Sequence, residues 1–338
     1  MRLRDSASEP DPGPTRKPRG PRILTVASGK GGVGKTSLVA NLGTLLARQG
    51  LRVLLVDGDL GLANLDIVLG VQPRATLEQV LGGEAELREA LVGIEAGLWC
   101  LPAASGLLEA RLADEETRRR LIGFFEVCPW EMDLILVDAG AGIQDNVLSL
   151  HGPLHESVVI LTPEPTSMTD AYGLIKCLRR RMGVEDVTVV VNQVTDAREA
   201  QGTFAKLNEV AGRFLDVELA YAGHCPMDEN FRRAVMKRRL LVDLNPGTPS
   251  VRCLELLAKR LGSGSSKTSQ EDLGKLSGRT VEKAMSGAQQ ATDGRTAAPP
   301  RGLFSPRTES RFKEELAGET PTVGNTAGFF RTLLEVKA

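Results

Sequence analysis

No uninterrupted apolar run in this chain approaches the ~18 residues that a membrane-spanning helix needs, so no span is expected. The first twenty residues, MRLRDSASEPDPGPTRKPRG, lack the apolar stretch of a secretory signal, and a cytoplasmic location is expected. Cysteine is sparse and scattered. Cys100, Cys128, Cys177, Cys225 and Cys253 form no C-x-x-C pair, which excludes a disulfide framework and a thiolate zinc or iron–sulfur site. Histidine is scarcer still. His151 and His155 are four apart, but Pro153 interrupts the helix they would need and no third ligand is in evidence. Net charge is also missing: 42 basic against 43 acidic residues leave −1, so any attraction to nucleic acid or membrane must be local.

What is present is an ordinary globular composition, 41% hydrophobic and 25% charged over 338 residues. That length accommodates one α/β domain of about 240 residues plus extensions. Residues 1–21, rich in Pro, Arg and Asp, read as a disordered arm. From residue 22 to 262 short apolar runs alternate with amphipathic stretches. The runs are ILTVAS (23–28), RVLLVD (52–57), LWCLPA (98–103), MDLILVD (132–138), SVVILT (157–162), VTVVVN (187–192) and VELAYAG (217–223). Helical patterns cover 36–50, 166–183, 200–215 and about 249–261. Near-continuous strands separated by helices predict a mostly parallel, doubly wound sheet with helices on both faces. Residues 263–325 turn to Ser, Gly, Thr, Lys and Glu and read as a disordered linker. In residues 326–338, Phe329, Phe330, Leu333, Leu334 and Val336 would share one side of a short amphipathic helix.

The chemistry begins at Gly29, Lys30, Gly31, Gly32, Val33, Gly34, Lys35 and Thr36, which satisfy G-x-x-x-x-G-K-[ST] between a strand and a helix. Glycines let backbone N–H groups turn inward on a phosphate, and the helix start adds its positive dipole end. Lys35 is expected to reach the β- and γ-phosphates, and the Thr36 hydroxyl to coordinate Mg²⁺. Asp57 and Asp59 end the second strand two residues apart, on one face, and Asp138 closes LILVD at the Walker B position, where it would hold Mg²⁺ through water. The segment 139–143, Ala-Gly-Ala-Gly-Ile, reads as a flexible second switch.

Lys30, a second lysine inside the loop, makes GKGGVGK resemble the deviant Walker A ATPases, the family of MinD, ParA, the nitrogenase iron protein and the arsenite-pump ATPase. The resemblance implies an ATP-bound homodimer in which Lys30 contacts the nucleotide of the other subunit and neutralises charge on the transferring phosphoryl. It places Asp57 near Mg²⁺, makes Asp59 the residue that orients the attacking water, and puts Asn64 against the partner subunit. It sets Asn192 and Pro226 beside adenine, so ATP is the expected nucleotide. The catalytic set is then Lys30, Lys35 and Asp59, with Thr36, Asp57 and Asp138 around the metal.

Four further segments, VDGDLGLANLDIVLG (56–70), LPAASG (101–106), VDAGAGI (137–143) and TPEPTSMTDAYGLIK (162–176), are similar to the FlhG (FleN) branch. That branch implies control of flagellar number and placement, with an FlhF-like GTPase, a flagellar regulator or a basal-body protein as partner. The DQAxxLR-like segment that some FlhG proteins use to stimulate that GTPase is not found in residues 1–21. The other reading is a ParA- or MinD-type ATPase for chromosome or plasmid partition or division-site positioning. The tail helix allows either reversible contact with the inner membrane or docking on its own domain. The cations Arg232, Arg233, Lys237, Arg238 and Arg239 are expected on a helix face that is solvated or docks protein, rather than one that holds DNA.

Overall fold

The computed structural model describes residues 21–263 apart from 60–62, 77–78, 81–82, 104–131, 149 and 152–155. The expected arm, linker and C-terminal helix fall outside these residues, save their boundary positions 21 and 263, as do Cys128 and His155.

The strands are β1 (Arg22–Ser28), β2 (Val53–Gly58), β3 (Val92–Glu95), β4 (Leu98–Leu101), β5 (Leu134–Ala141), β6 (Glu156–Leu161), β7 (Val187–Val194) and β8 (Ala220–Pro226). They form one sheet in the order β3-β4-β2-β5-β1-β6-β7-β8. Every pairing is parallel except β3 with β4, a short antiparallel edge that no apolar run announced. The helices are α1 (Lys35–Arg48), α2 (Leu65–Leu69), α3 (Leu87–Ala90), α4 (Asp145–Leu148), α5 (Pro165–Arg181), α6 (Ala197–Leu215), α7 (Glu229–Met236), α8 (Leu241–Leu244) and α9 (Pro249–Gly262).

The apolar runs are continuous because the sheet is covered twice. Successive residues of a strand point to opposite faces, and here both faces are core. On β1, Leu24 and Val26 join one cluster while Ile23 and Ala27 join the other. Leu134 and Leu136 of β5 lie with the first pair, Ile135 and Val137 with the second. The first cluster is closed by Leu38, Leu42 and Leu46 of α1 and by Leu254, Leu257 and Leu261 of α9. Met168, Leu174, Ile175 and Leu178 of α5, with Leu207 and Ala211 of α6, close the second. Each wholly buried leucine, such as Leu24 or Leu136, contributes about 2 kcal/mol of hydrophobic free energy.

Polar side chains tie off the ends. Arg22, at the start of β1, donates two hydrogen bonds of 2.8 Å to the Glu156 carboxylate and two more to the carbonyls of Leu261 and Gly262. Those carbonyls end α9 and have no partner in a further turn of helix, so Arg22 caps the last helix against the first strand. Asp196 caps α6 by accepting from the Glu199 amide.

The basic segment behaves differently from its sequence expectation. α7 stops at Met236, and Arg238 takes a left-handed φ of 50°. Arg238 and Arg239 therefore lie beyond the helix and do not continue its face. β5 also runs on through Ala141, because Ala139 pairs with Gly58 and Ala141 with Ser28. The first three residues of the expected second switch are thus sheet, and the loop is left to Gly142 and the residues after it.

Candidate nucleotide-binding site

β1, β2 and β5 are neighbours, and all three end at the same edge of the sheet, where α/β folds place their ligands. β1 delivers the glycine loop and β2 delivers Asp57. That strand ends at Gly58, so Asp59 lies just past it and not on the strand face expected, and Asp138 sits three residues before the end of β5.

After Ser28 the chain turns through Gly32 at φ 81° and Gly34 at φ 84°. L side chains are disfavoured in that region, so these two positions explain why the motif needs glycine. Gly29 is required for a different reason. A Cβ there would sit 2.2 Å from the backbone carbonyl of Asp170 in α5, so the loop can only lie against that helix without a side chain. α1 then begins at Lys35 with no side-chain cap on its N-terminus. Its first N–H groups remain available for an anion.

Lys35 is buried, and its Nζ lies 2.5 Å from Asp138 Oδ1. The Thr36 hydroxyl also hydrogen-bonds to Asp138. Burial raises the Asp138 carboxyl above the usual carboxylate range, while Lys35 and Thr36 oppose that rise. Asp57 stands directly beside Asp138 in the ladder between β2 and β5. One of its oxygens accepts from the Asp59 amide at 3.1 Å, the other from the amides of Asn64 and Leu65 at 3.0 Å each. This carboxylate therefore fastens both ends of the loop that carries Asp59 and starts α2. Burial pushes Asp57 up to about 7, the Asp138 charge adds to the rise, and the three amides work against it. The Asp59 carboxylate lies against Gly140, whose Cβ would stand 3.6 Å from Oδ1.

The two loop lysines point to different surroundings. Lys30 is surface-accessible, with Nζ 2.7 Å from Glu164 and 3.1 Å from the Thr166 hydroxyl, at the start of α5. Lys35 is enclosed beneath the loop. Asn192 and Pro226 come together because β7 and β8 pair there, Asn192 opposite Cys225 and Val194 opposite Pro226. The Asn192 side chain is turned to the loop, donating from Nδ2 to the Val33 carbonyl at 2.6 Å. Beside it Gln193, which no sequence motif singles out, donates from Nε2 to the Gly32 carbonyl at 3.3 Å.

These residues fit a magnesium nucleotide. Glycine amides and a helix start suit the phosphates, and a hydroxyl with nearby carboxylates suits a hard cation that keeps most of its waters. Among the described residues no group of three or more His, Cys, Asp or Glu side chains could hold a metal alone. The four cysteines in the described region are free thiols.

Strand, glycine loop, helix and the buried lysine–aspartate pair together define a P-loop nucleotide-binding protein. The CobQ/CobB/MinD/ParA nucleotide binding domain family matches residues 24–242. The antiactivator FleN of Pseudomonas aeruginosa is 40% identical over 242 residues, 72% of this chain and 86% of that protein. The flagellum site-determining protein YlxH of Helicobacter pylori is 31% identical over 258 residues, covering 75% and 87%. Among solved structures, MinD with Mg-ADP from Pyrococcus horikoshii superposes with a TM-score of 0.58 at 29% identity, over 73% of this chain and 99% of that one. A chain of the MinC:MinD cell division protein complex of Aquifex aeolicus gives 0.58 at 28%, over 74% and 98%. The chain belongs to the MinD/ParA family of P-loop ATPases, in its FlhG/FleN branch.

Proposed function

We propose that this ATPase is a switch that dimerises with MgATP and, in that state, regulates flagellar number and placement or flagellar gene expression. The observation that carries the reading is the division of labour between the loop lysines. Lys35 is enclosed beside Asp138, whereas Lys30 stands at the surface against Glu164, where a second subunit can meet it. The flagellar assignment rests on the likeness to the proteins named antiactivator FleN and flagellum site-determining YlxH.

Residues 22–262 form the ATPase domain of this reading. Val33, Gly34 and the other loop amides hold the phosphates with Lys35, and Lys30 neutralises charge on the γ-phosphoryl of the partner's nucleotide. Thr36, Asp57 and Asp138 surround Mg²⁺, the last through water. Asp59 orients the attacking water, and Asn192 and Pro226 border adenine. When bound, MgATP supplies the scissile phosphoanhydride and the charge that draws two subunits together. The protein acts in the cytoplasm on an FlhF-like GTPase, a flagellar regulator or a basal-body component. Residues 326–338, carried by the linker 263–325, make reversible contact with the membrane. Two weak tails in one dimer give useful avidity.

The test is size-exclusion chromatography with ATP and with ADP, repeated for Lys30→Ala and Asp59→Ala. An ATP-specific dimer is expected, weakened by Lys30→Ala and accumulated by Asp59→Ala. A monomer under every condition would end the dimer reading. Deletion of the gene that leaves flagellar count and position unchanged would end the flagellar one. Equal, negligible co-sedimentation with anionic liposomes in ATP and ADP would remove the membrane contact.

A further inference from the structure

The geometry assigns Gln193, together with Asn192 and Ser28, a positioning role: they hold the glycine loop from outside so that its amides face the phosphate. The inference rests on the reading of the loop as a phosphate cradle and names what keeps the cradle in shape.

A trans peptide is planar, so the carbonyl of one residue and the N–H of the next point in opposite directions. Fixing a carbonyl on the outside of a loop therefore fixes the following N–H on the inside. Three loop carbonyls are fixed in this way. The Ser28 hydroxyl donates to the Lys30 carbonyl at 3.0 Å, Gln193 Nε2 to Gly32 at 3.3 Å and Asn192 Nδ2 to Val33 at 2.6 Å. The amides that follow belong to Gly31, Val33 and Gly34. The contact is close: a Cβ on Gly34 would meet Asn192 Nδ2 at 2.7 Å.

Gln193 is the member for which the backbone supplies an independent sign. It has a φ of 58°, a left-handed conformation that glycine or asparagine adopts more readily than glutamine. The following residue, Val194, returns to the β7–β8 ladder opposite Pro226 after an irregularity at this point. The bulge re-aims one side chain at the end of a strand, and that side chain reaches the Gly32 carbonyl. Glycine would satisfy the backbone and lose the clamp, while glutamate would keep the shape and replace a donor with an acceptor.

The test compares the full chain with Gln193→Gly and Gln193→Glu by calorimetry with MgADP and MgATP, by thermal melting without nucleotide, and by steady-state turnover. For Gln193→Gly the expected result is a melting temperature within about 2 °C of the parent, because relief of the left-handed strain offsets the freer unfolded chain. Both variants should bind both nucleotides about three- to tenfold more weakly, the range of one lost neutral hydrogen bond. KM should rise while kcat holds, since the cradle grips ground state and transition state alike. Parent-like affinity in both variants overturns the assignment, and so does a loss of affinity that only tracks a loss of melting temperature. No binding by the parent chain removes the cradle reading itself, a result distinct from either.

Discussion

Lys35 and Asp138, 103 residues apart in sequence, meet at 2.5 Å with side chains only 8% and 1% exposed. Lys35, the lysine proposed to reach the phosphates, is thus already neutralised by the residue proposed to help hold the metal. In the proposed function, nucleotide entry exchanges one negative partner of Lys35 for another. Removing one member leaves a buried charge without a counter-ion, and Asp138→Ala is expected to destabilise the nucleotide-free protein by about 3–5 kcal/mol. The double variant Lys35→Met/Asp138→Leu should recover most of that loss, although it cannot turn over. Urea unfolding of both, without nucleotide, checks this. A double variant no more stable than Asp138→Ala would show that the ion pair is not the cause.

Two neighbouring glycines should respond in opposite ways to the same methyl group. Gly29→Ala drives a Cβ into the Asp170 carbonyl at 2.2 Å, whereas nothing lies within 4 Å of a Cβ on Gly31. Both clashing groups at position 29 are backbone, so relief requires moving the loop or α5. The expected loss is about 2–3 kcal/mol for Gly29→Ala, a fall of roughly 5–10 °C in melting temperature for a domain of this size. Gly31→Ala should melt within about 2 °C of the parent. Calorimetric melts without nucleotide decide the matter, and similar melting temperatures for the two variants would contradict the close contact with α5.

An acid limb of stability should come from β8. His224 has Nδ1 3.2 Å from the Tyr221 hydroxyl and a buried Nε2 with no hydrogen-bond partner. Burial lowers its pKa, the Arg260 charge lowers it further, and Asp196 opposes them. A depressed folded value means that the neutral ring contributes stability above the unfolded value of about 6.5. That contribution is lost as pH falls through the folded value, because the unfolded chain binds the proton first. Between pH 7.5 and 5 the unfolding free energy of His224→Gln should therefore fall less steeply than that of the parent. Parallel slopes in denaturant titrations would rule this out.

Arg22→Ala should loosen the last helix more than the rest of the domain. It removes the acceptors' partner at Leu261 and Gly262 as well as the pair with Glu156. A stability loss of about 1–3 kcal/mol is expected, with amide exchange quickening first in the final turn of α9. Uniform acceleration across the sheet would mean that the cap is not local.

Much of this was readable from residue order because the physics involved is local. The strands buried on both faces must be apolar at every position, so they stand out as runs. A phosphate loop needs its glycines and lysine at fixed spacing, and Asp57 and Asp138 lie on strands that happen to be neighbours. The edge strand β3 was hidden because its residues are only partly buried and need no apolar signature. The run at 217–223 began too early for a related reason. Val217 and Leu219 are core residues, yet the Leu219 amide is held by the Asn208 side chain and not by a neighbouring strand, and the ladder starts at Ala220. Gln193 was invisible because its part depends on a left-handed backbone angle. The pairing of Lys30 with Glu164, 134 residues away, was equally out of reach, since only the fold joins them.

The clasp made by Arg22 also decides where the extensions of this molecule are attached. Residue 21 precedes β1 and residue 263 follows the helix that Arg22 caps, so both exits share one pole of the sheet. The phosphate loop leaves the other end of β1, seven residues on, or roughly 20 Å along the strand. Dyes or immobilising linkers attached at residue 21 or residue 263 are therefore rooted at the pole opposite the phosphate loop. Single-molecule work can anchor the described domain at those two positions and keep the loop's pole clear of the anchor.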